Sequence, residues 1–326
     1  MRLSRRLTLG AILIALIVGA CGPGGGSKPA IKIGSVKFDE ARVMAEVYAQ
    51  ALEAKGYTVD RAGIGLGDRA VLAPAIESGQ IDLQPEYIGS RLSYEIAHPA
   101  APSGAPASGP AASPAASGGP TGDSAANFDA LQPYLTTKNL TALNYTPAID
   151  TNAFVVRPET AQQFNLVRMS DTAAVQDQLN WGLATDCPTN ALCGKPGGAL
   201  EQYGITQETI AGSTLLSACD TPMADALKNG TIDVAELCST QPDILVNGWV
   251  VLEDDKQTQP ADNVAPIVRN DYLAKVNRTE FDKILNDVSA QVDTATLAEL
   301  YKQVAVDRQD PKDVASAWLK SKGFIP

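Results

Sequence analysis

Residues 75–87 read AIESGQIDLQPEY, and residues 226–240 read ALKNGTIDVAELCST. Both begin with Ala and an aliphatic residue, run through two further residues to a Gly, skip one, and continue Ile, Asp, aliphatic. Each describes a helix end, a glycine able to take the left-handed conformation that closes it, and a strand. Two copies so far apart predict two similar α/β lobes, not a short-period solenoid. In open α/β sheets, ligands bind beyond the carboxyl ends of strands. Tyr87 and the run Cys238-Ser239-Thr240 are therefore expected to face a shared cleft. Pro85 has no N–H to give a ladder, so the first strand is expected to end before it.

Working outward, IKIGSV (31–36) alternates as a strand. Residues 39–55 place Val43, Met44, Val47, Tyr48 and Leu52 on one helical face, and Gly56 stops them. YTVDR (57–61) reads as the next strand, IGLGDR (64–69) as a turn, and 68–78 as a second helix closed by Gly79. This βαβαβ order predicts an α/β domain with a mainly parallel sheet. Residues 97–127 are Ala, Pro, Gly and Ser without apolar period, and are expected to be a disordered insertion. Beyond Ala148, TNAFVV, TIDVAEL and WVVLED read as strands, and 220–229 as a helix. Residues 278–324 look helical, with Leu285, Val288, Val292, Leu297, Val314, Trp318 and Leu319 as apolar faces.

The N-terminus reads as an export signal. MRLSRR is a positive n-region, and Leu7–Ala20 is an apolar stretch short for a bilayer span. It ends VGAC, which resembles a bacterial lipobox with Cys21 as the lipidated residue. An uncleaved anchor helix is the competing reading, and Arg5-Arg6 is a weak hint of twin-arginine export. Either places the folded chain outside the cytoplasm. Residues 1–20 are then the signal peptide and 21–30 a flexible tether.

Composition narrows the function. Of the 326 residues 44% are hydrophobic, enough for a substantial core, and the net charge of −11 lacks the basic face that nucleic acid requires. The chain has one histidine, His98, placed at the edge of the low-complexity run. Ser–His–Asp and Cys–His chemistry both need an imidazole base, so neither is expected. GIGLGDR lacks the dinucleotide spacing, and Glu253-Asp254-Asp255 reads as a solvated turn. Glu86 and Glu236 are carboxylates that glycoside cleavage can use, but nothing pairs them. No cofactor, no metal and no enzymatic activity are expected. With Cys21 set aside, Cys187, Cys193, Cys219 and Cys238 remain, an even number in an oxidising compartment. The local pairs Cys187–Cys193 and Cys219–Cys238 are favoured among three pairings; a zinc site is the competing reading.

These stretches resemble the substrate-binding proteins of ABC transporters for glycine betaine, choline and related osmoprotectants. IKIGSVKFDEARVMAEVYAQALEAKGYTV is similar to the family's first strand and helix. AIESGQIDLQPEYIGSRLSYE is similar to its G-x-I-D-L-x-P-E-Y-x-G segment, and DPKDVASAWLKSKGFI to its closing helix. The resemblance implies a two-lobed periplasmic-binding-protein-like fold of type II, each lobe a mixed, mainly parallel sheet flanked by helices. Lobe one would be 31–145 with 262–326, and lobe two 148–258, hinged near 146–150 and 258–263. It implies a monomeric receptor, lipid-anchored, that delivers a betaine-like or other zwitterionic solute to ABC permease subunits. A hydrolase or a protein-binding sensory lipoprotein is the alternative.

A trimethylammonium group has no N–H and is held by aromatic faces. By resemblance, Tyr87 falls on such a cage position and Ser90 on a neighbouring hydroxyl position, while Ser35, Lys37, Phe38 and Asp39 line the cleft. Asp39 is equally an N-cap candidate. The chain departs from the pattern at Asn152, where relatives carry Tyr, at Ala224, and at Cys238-Ser239-Thr240-Gln241, where Tyr-Ser-Thr-Asp is common. Asn152, Ser239 and Thr240 are still expected at the ligand. At most part of the aromatic cage remains, which points to a polar zwitterion or a larger betaine.

Overall fold

A computed structural model describes residues 28–98, 119–190 and 192–326. The signal, Cys21 and most of the Ala/Pro/Gly/Ser run lie outside them. Among the described residues, ten strands form two five-stranded sheets. The first sheet contains β1 (Ile31–Val36), β2 (Val59–Gly67), β3 (Leu83–Tyr87) and β4 (Leu140–Ala142). The second contains β5 (Asn152–Val156), β6 (Trp181–Ala184), β7 (Thr214–Leu216), β8 (Val234–Cys238) and β9 (Val250–Val251). The chain then returns to the first sheet as β10 (Val264–Arg269). The spatial orders are β2-β1-β3-β10-β4 and β7-β6-β8-β5-β9. In each, the last parallel strand pairs antiparallel with a strand laid down next to a crossover, β3 with β10 and β8 with β5.

The sequence echo is a structural repeat down to its side chains. Helix Arg69–Ser78 closes on Gly79 at φ +80°, and helix Thr221–Lys228 is followed by Gly230 at φ +72°. In lobe one, Asp82 accepts from the Lys32 backbone N–H (3.0 Å) and from Arg269 (3.2 Å). In lobe two, Asp233 accepts from the Asn180 backbone N–H (3.0 Å) and from Arg157 (2.7 Å). Each aspartate thus pins the start of its neighbouring strand and an arginine at the end of its antiparallel partner. A charge-assisted bond of this kind contributes about 1.5–3 kcal/mol.

Helix Asp39–Glu53 carries the lobe-one core. Val43, Met44, Val47, Tyr48 and Leu52 are fully buried between the sheet and the helices Arg278–Ser289, Thr294–Ala305 and Pro311–Ser321. Burying each such aliphatic side chain contributes about 1.5–3 kcal/mol. The Tyr48 hydroxyl is satisfied by Ser289 Oγ at 2.9 Å. The C-terminal helices therefore complete the first lobe after the chain has left it and returned.

Several local expectations differ from the structure. Pro85 lies inside β3, opposite Pro266 of β10. This is tolerated because β1 pairs with β3 only at Ile33–Leu83, so the missing donor falls beyond the paired stretch. IGLGDR is not a turn: β2 runs to Gly67, and Gly34 and Gly63 let β1 and β2 approach beneath Ile81. Helix Ile88–Ala97 and helix Ser124–Thr137 both trespass on the stretch read as insertion, the second capped by Asp123. Phe38, not Asp39, is the N-cap of helix Asp39–Glu53; Asp39 sits in its first turn and binds Arg42 at 3.0 Å. Only Val250 and Val251 of WVVLED are strand, at the sheet edge.

Candidate functional site

The site is built where the two crossovers pass between the sheets. β3 delivers Tyr87, and helix Ile88–Ala97 starts at once, presenting the backbone N–H groups of Gly89 and Ser90. Both donate to Asp262 Oδ1 (2.8 and 3.0 Å), and the Ser90 hydroxyl donates to Asp262 Oδ2 (2.5 Å). Asp262 lies in the returning crossover, just before β10. Asp150 lies in the outgoing one, its N–H donating to the Asp262 carbonyl at 3.0 Å. From the second lobe, Thr240 beyond β8 donates its hydroxyl to Asp150 Oδ1 at 2.9 Å. The two aspartates thus take one wall from each lobe.

Glu40 adds a third carboxylate from the first turn of helix Asp39–Glu53. It is buried, and the Tyr87 hydroxyl donates to its Oε1 at 2.5 Å. The Tyr87 ring is 5.5 Å from Phe38, whose ring is half exposed. Burial, with the neighbouring negative charges, raises the proton affinity of the whole cluster. Asp150 is pushed up to about 6 by burial and Asp262. Asp262 is likewise pushed up to about 6, chiefly by burial, although Ser90 and Arg69 pull it down. Glu40 is raised by burial and by Asp150. Tyr301, on helix Thr294–Ala305, is pushed up to about 12 by burial and then by Glu40 and the aspartates around it. Perturbed acids gathered in a cleft make it a candidate functional site.

A cavity of about 270 Å³ opens on this cluster. Gly89, Ser90 and Asp262 line one side, Asn152 and Cys238 the other, with Asp150 and Thr151 between them. A cavity of this size suits a small solute. Two other depressions fit less well. One of about 540 Å³ lies among the C-terminal helices near Trp318, away from both crossovers. One of about 220 Å³, mostly apolar, lies near Phe154, Met169, Tyr203 and Leu252.

The structure brings some expected residues together here and leaves others elsewhere. Tyr87, Phe38, Ser90, Asn152 and Thr240 meet at or beside the cleft. Asn152 is tied to Glu236 at 3.2 Å. Ser239 braces the outgoing crossover, accepting from Thr151 N–H (3.1 Å) and donating to the Ile149 carbonyl (2.9 Å). Ser35 is buried within the first sheet, donating to the Val36 carbonyl and accepting from Gly65 N–H. Lys37 points outward to Asp68, both side chains mostly exposed. Asp39 is engaged by Arg42. Sequence reasoning missed Glu40, Asp150, Gln259 and Asp262. The signal for three of them, Asp150, Gln259 and Asp262, was their place in the very crossovers read as hinge segments.

The remaining chemical candidates are accounted for. Glu86 is clasped by Arg69 (2.9 Å) and Gln84 (3.0 Å) inside lobe one, while Glu236 accepts from Ala184 N–H (2.8 Å) in lobe two. Asp254 caps a loop through Thr258 and Gln259 N–H groups. Cys187 is bonded to Cys193 and Cys219 to Cys238. Cys187, Cys193 and Glu236 lie close enough to suggest a metal set, but the disulfide removes both thiolates a metal needs.

Residues 29–321 match the model of the substrate-binding domain of ABC-type glycine betaine transport systems. The chain belongs to that family. It is accordingly the substrate-binding component of an ABC transport system and not an enzyme. A glycine-betaine-binding protein of Pseudomonas aeruginosa is 26% identical over 90% of this chain and 88% of its own length. The glycine betaine-binding protein YehZ of Escherichia coli is 25% identical over 90% of this chain and 91% of its own. Among solved structures, a glycine betaine/carnitine/choline ABC transporter protein superposes with TM-score 0.74 at 20% identity, covering 90% of this chain and 99% of that one. Apo YehZ superposes with TM-score 0.71 at 23% identity, covering 90% and 99%. These likenesses give the two-lobed type II fold. Substrate-binding proteins of ABC importers work outside the cytoplasm, and among the described residues no helix is long and apolar enough to cross a membrane.

Proposed function

We propose that this chain captures a small solute through a positively charged nitrogen in the interlobe cleft and hands it to ABC permease subunits. The single observation that supports this reading is the cavity at the crossovers, lined by helix Ile88–Ala97 on one side, by Asn152 and Cys238 of the second sheet on the other, and by Asp150 and Asp262. A cavity shared by two lobes changes shape when they move about the hinge, which is how closure around a solute is signalled to a partner. The lobes we assign are 31–145 with 262–326, and 148–258. The expected solutes are the betaine-like and quaternary-ammonium compounds that the names of the relatives specify. We further propose a monomer held at the membrane by lipid on Cys21, which raises its local concentration near the permease.

Isothermal titration of the purified protein with glycine betaine, choline, carnitine and simple amines tests the reading. Saturable binding by one of them, lost when Asp262 is replaced, supports it. Heat absent across the whole panel contradicts it. Loss of lipid labelling in Cys21→Ser tests the anchor separately.

A further inference from the structure

Both loops that form the lobe-two side of the cleft are closed by a disulfide. Leu192 lies inside the Cys187–Cys193 loop, and Cys238 ends β8 bonded to Cys219. The two bonds converge on one pair of side chains. Cys193 Sγ is 3.4 Å from Glu236 Oε2, and Cys219 Sγ is 4.0 Å from Asn152 Oδ1. Asn152 Nδ2 donates to Glu236 Oε1 at 3.2 Å. Asn152 and Cys238 stand opposite each other in the β5–β8 ladder, and both line the cavity. Beyond Cys238 come the groups that grip the outgoing crossover. Ser239 N–H donates to the Thr151 carbonyl (2.8 Å), and the Thr240 hydroxyl donates to Asp150 (2.9 Å).

The two disulfides differ in what protects them. Cys187 and Cys193 are 0% and 1% exposed, inside the lobe-two core. Cys219 and Cys238 are only half-buried. Cys219 stands in the short loop 217–220, between edge strand β7 and the Asp220 cap of helix Thr221–Lys228. Its φ is +54°, in the left-handed region that a residue with a Cβ enters at a cost. The bond to Cys238 opposes the relaxation of that backbone. With the bond broken, loop 217–220 is free to relax, Cys219 leaves Asn152, and the Cys238 side chain can turn toward the cavity.

We propose that the Cys219–Cys238 disulfide is a positioning element of the solute cleft and a redox switch upon it. Oxidised, it fixes Asn152 and Cys238 in the lobe-two wall. Reduced by a dithiol, it loosens that wall and lowers solute affinity. This rests on the receptor reading above and adds a regulation of the same site. The lobe-one part, Tyr87, Phe38 and Tyr301 with Glu40 and Asp262, contains none of the chain's five cysteines. Reduction therefore weakens capture without abolishing it and leaves the class of solute unchanged. In the chemical step, a thiolate of the dithiol attacks one sulfur of the bridge. The S–S bond breaks, and the other cysteine leaves as a thiolate and takes up a proton. The reductant's second thiol then displaces the first cysteine from the mixed disulfide. Two electrons and two protons have passed to the cysteines, and the reductant ends as its own disulfide.

The test titrates glycine betaine, choline and carnitine calorimetrically into the full chain, oxidised and after graded treatment with dithiothreitol that is then removed anaerobically. Alkylation and peptide mass spectrometry of a parallel sample identify the thiols released. Far-ultraviolet dichroism and the emission maximum of Trp181 and Trp249, both buried in lobe two, report the fold. Cys219 and Cys238 should be released first, with Cys187–Cys193 intact. The Kd of each solute that binds should then rise about three- to tenfold, the loss of roughly one wall contact, with the fold signals and the order of solutes unchanged. Reoxidation should restore the original Kd. A chain carrying both Cys219→Ser and Cys238→Ser should bind like the reduced protein and ignore dithiothreitol; if it does not fold, reduced wild type carries the test. An unchanged Kd after this bond is broken overturns the proposal and leaves the receptor reading intact. Release of Cys187 and Cys193 first, or loss of affinity only together with the fold signals, does the same. No binding of any of the three solutes to the oxidised protein overturns both.

Discussion

Asp150→Asn should make the ligand-free protein more stable at neutral pH and a poorer receptor. Asp150 is pushed from the ordinary 3.8 up to about 6 by burial beside Asp262. A displacement of about two pH units, at about 1.4 kcal/mol each, costs the ionised native state about 3 kcal/mol. Asn keeps the Oδ1 that accepts from Thr240 and removes the charge. Part of the relief is shared with Glu40 and Asp262, so the gain at pH 7.5 is on the order of 1–3 kcal/mol, or several degrees in Tm. The sign follows from proton counting. Between pH 4 and 6 the native state holds protons that the unfolded chain has released, so stability falls as pH rises through that window. The wild type should therefore lose more stability than the variant between pH 5 and pH 7.5. Urea denaturation of both proteins at both pH values measures this as a difference of differences. A variant less stable than wild type at pH 7.5, or an equal gap at both pH values, would refute the reasoning. The same substitution should weaken cation binding, so this residue trades stability for function.

Tyr87→Phe removes the donor to Glu40 and leaves a buried carboxylate oxygen unpaired; denaturation should show a loss of about 1–3 kcal/mol. Arg91, fully buried between Glu95 and Glu86, is the other buried charge under β3. Arg91→Ala should cost about 3–5 kcal/mol by leaving those acids uncompensated, measurable as a lowered urea midpoint with an unchanged slope. Gly79→Ala and Gly230→Ala impose the same left-handed strain, about 1–2 kcal/mol. Of the two, only at Gly79 does the new Cβ meet a side chain, Arg269 Nη1, which also holds Asp82, so thermal denaturation should rank Gly79→Ala as the worse.

What the sequence made legible follows from periodicity and repeats. The motif at 75–87 and its echo at 226–240 gave two lobes because Gly, Ile and Asp each have one physical task there. The Asp82 and Asp233 clasps show that the echo was more than a shared helix end. Pro85 misled because a central strand need not be paired on both sides along its whole length. GIGLG looked like a turn because glycine both breaks strands and lets two strands approach closely, and composition does not separate the two. The site was only half legible. Tyr87 and Thr240 stood at strand ends, where a cleft is expected. Asp150 and Asp262 stood in the segments read as hinges, but acidic loop residues in a chain of net charge −11 do not stand out by type until the fold sets them side by side. Ser35 and Lys37 lie near β1's end, as expected of cleft residues, but one hydroxyl serves the sheet and the ammonium faces outward.

The central claim is that a positively charged nitrogen is held between the two crossovers. The most direct measurement is a crystal structure of the protein with the solute it binds tightest, or with the molecule that copurifies with it. The expected result places the cationic nitrogen within hydrogen-bonding distance of Asp150 and Asp262, with the solute enclosed between Ser90 and Asn152. A solute seated instead in the apolar depression near Phe154 and Tyr203, or one whose carboxylate faces the two aspartates, would contradict the account.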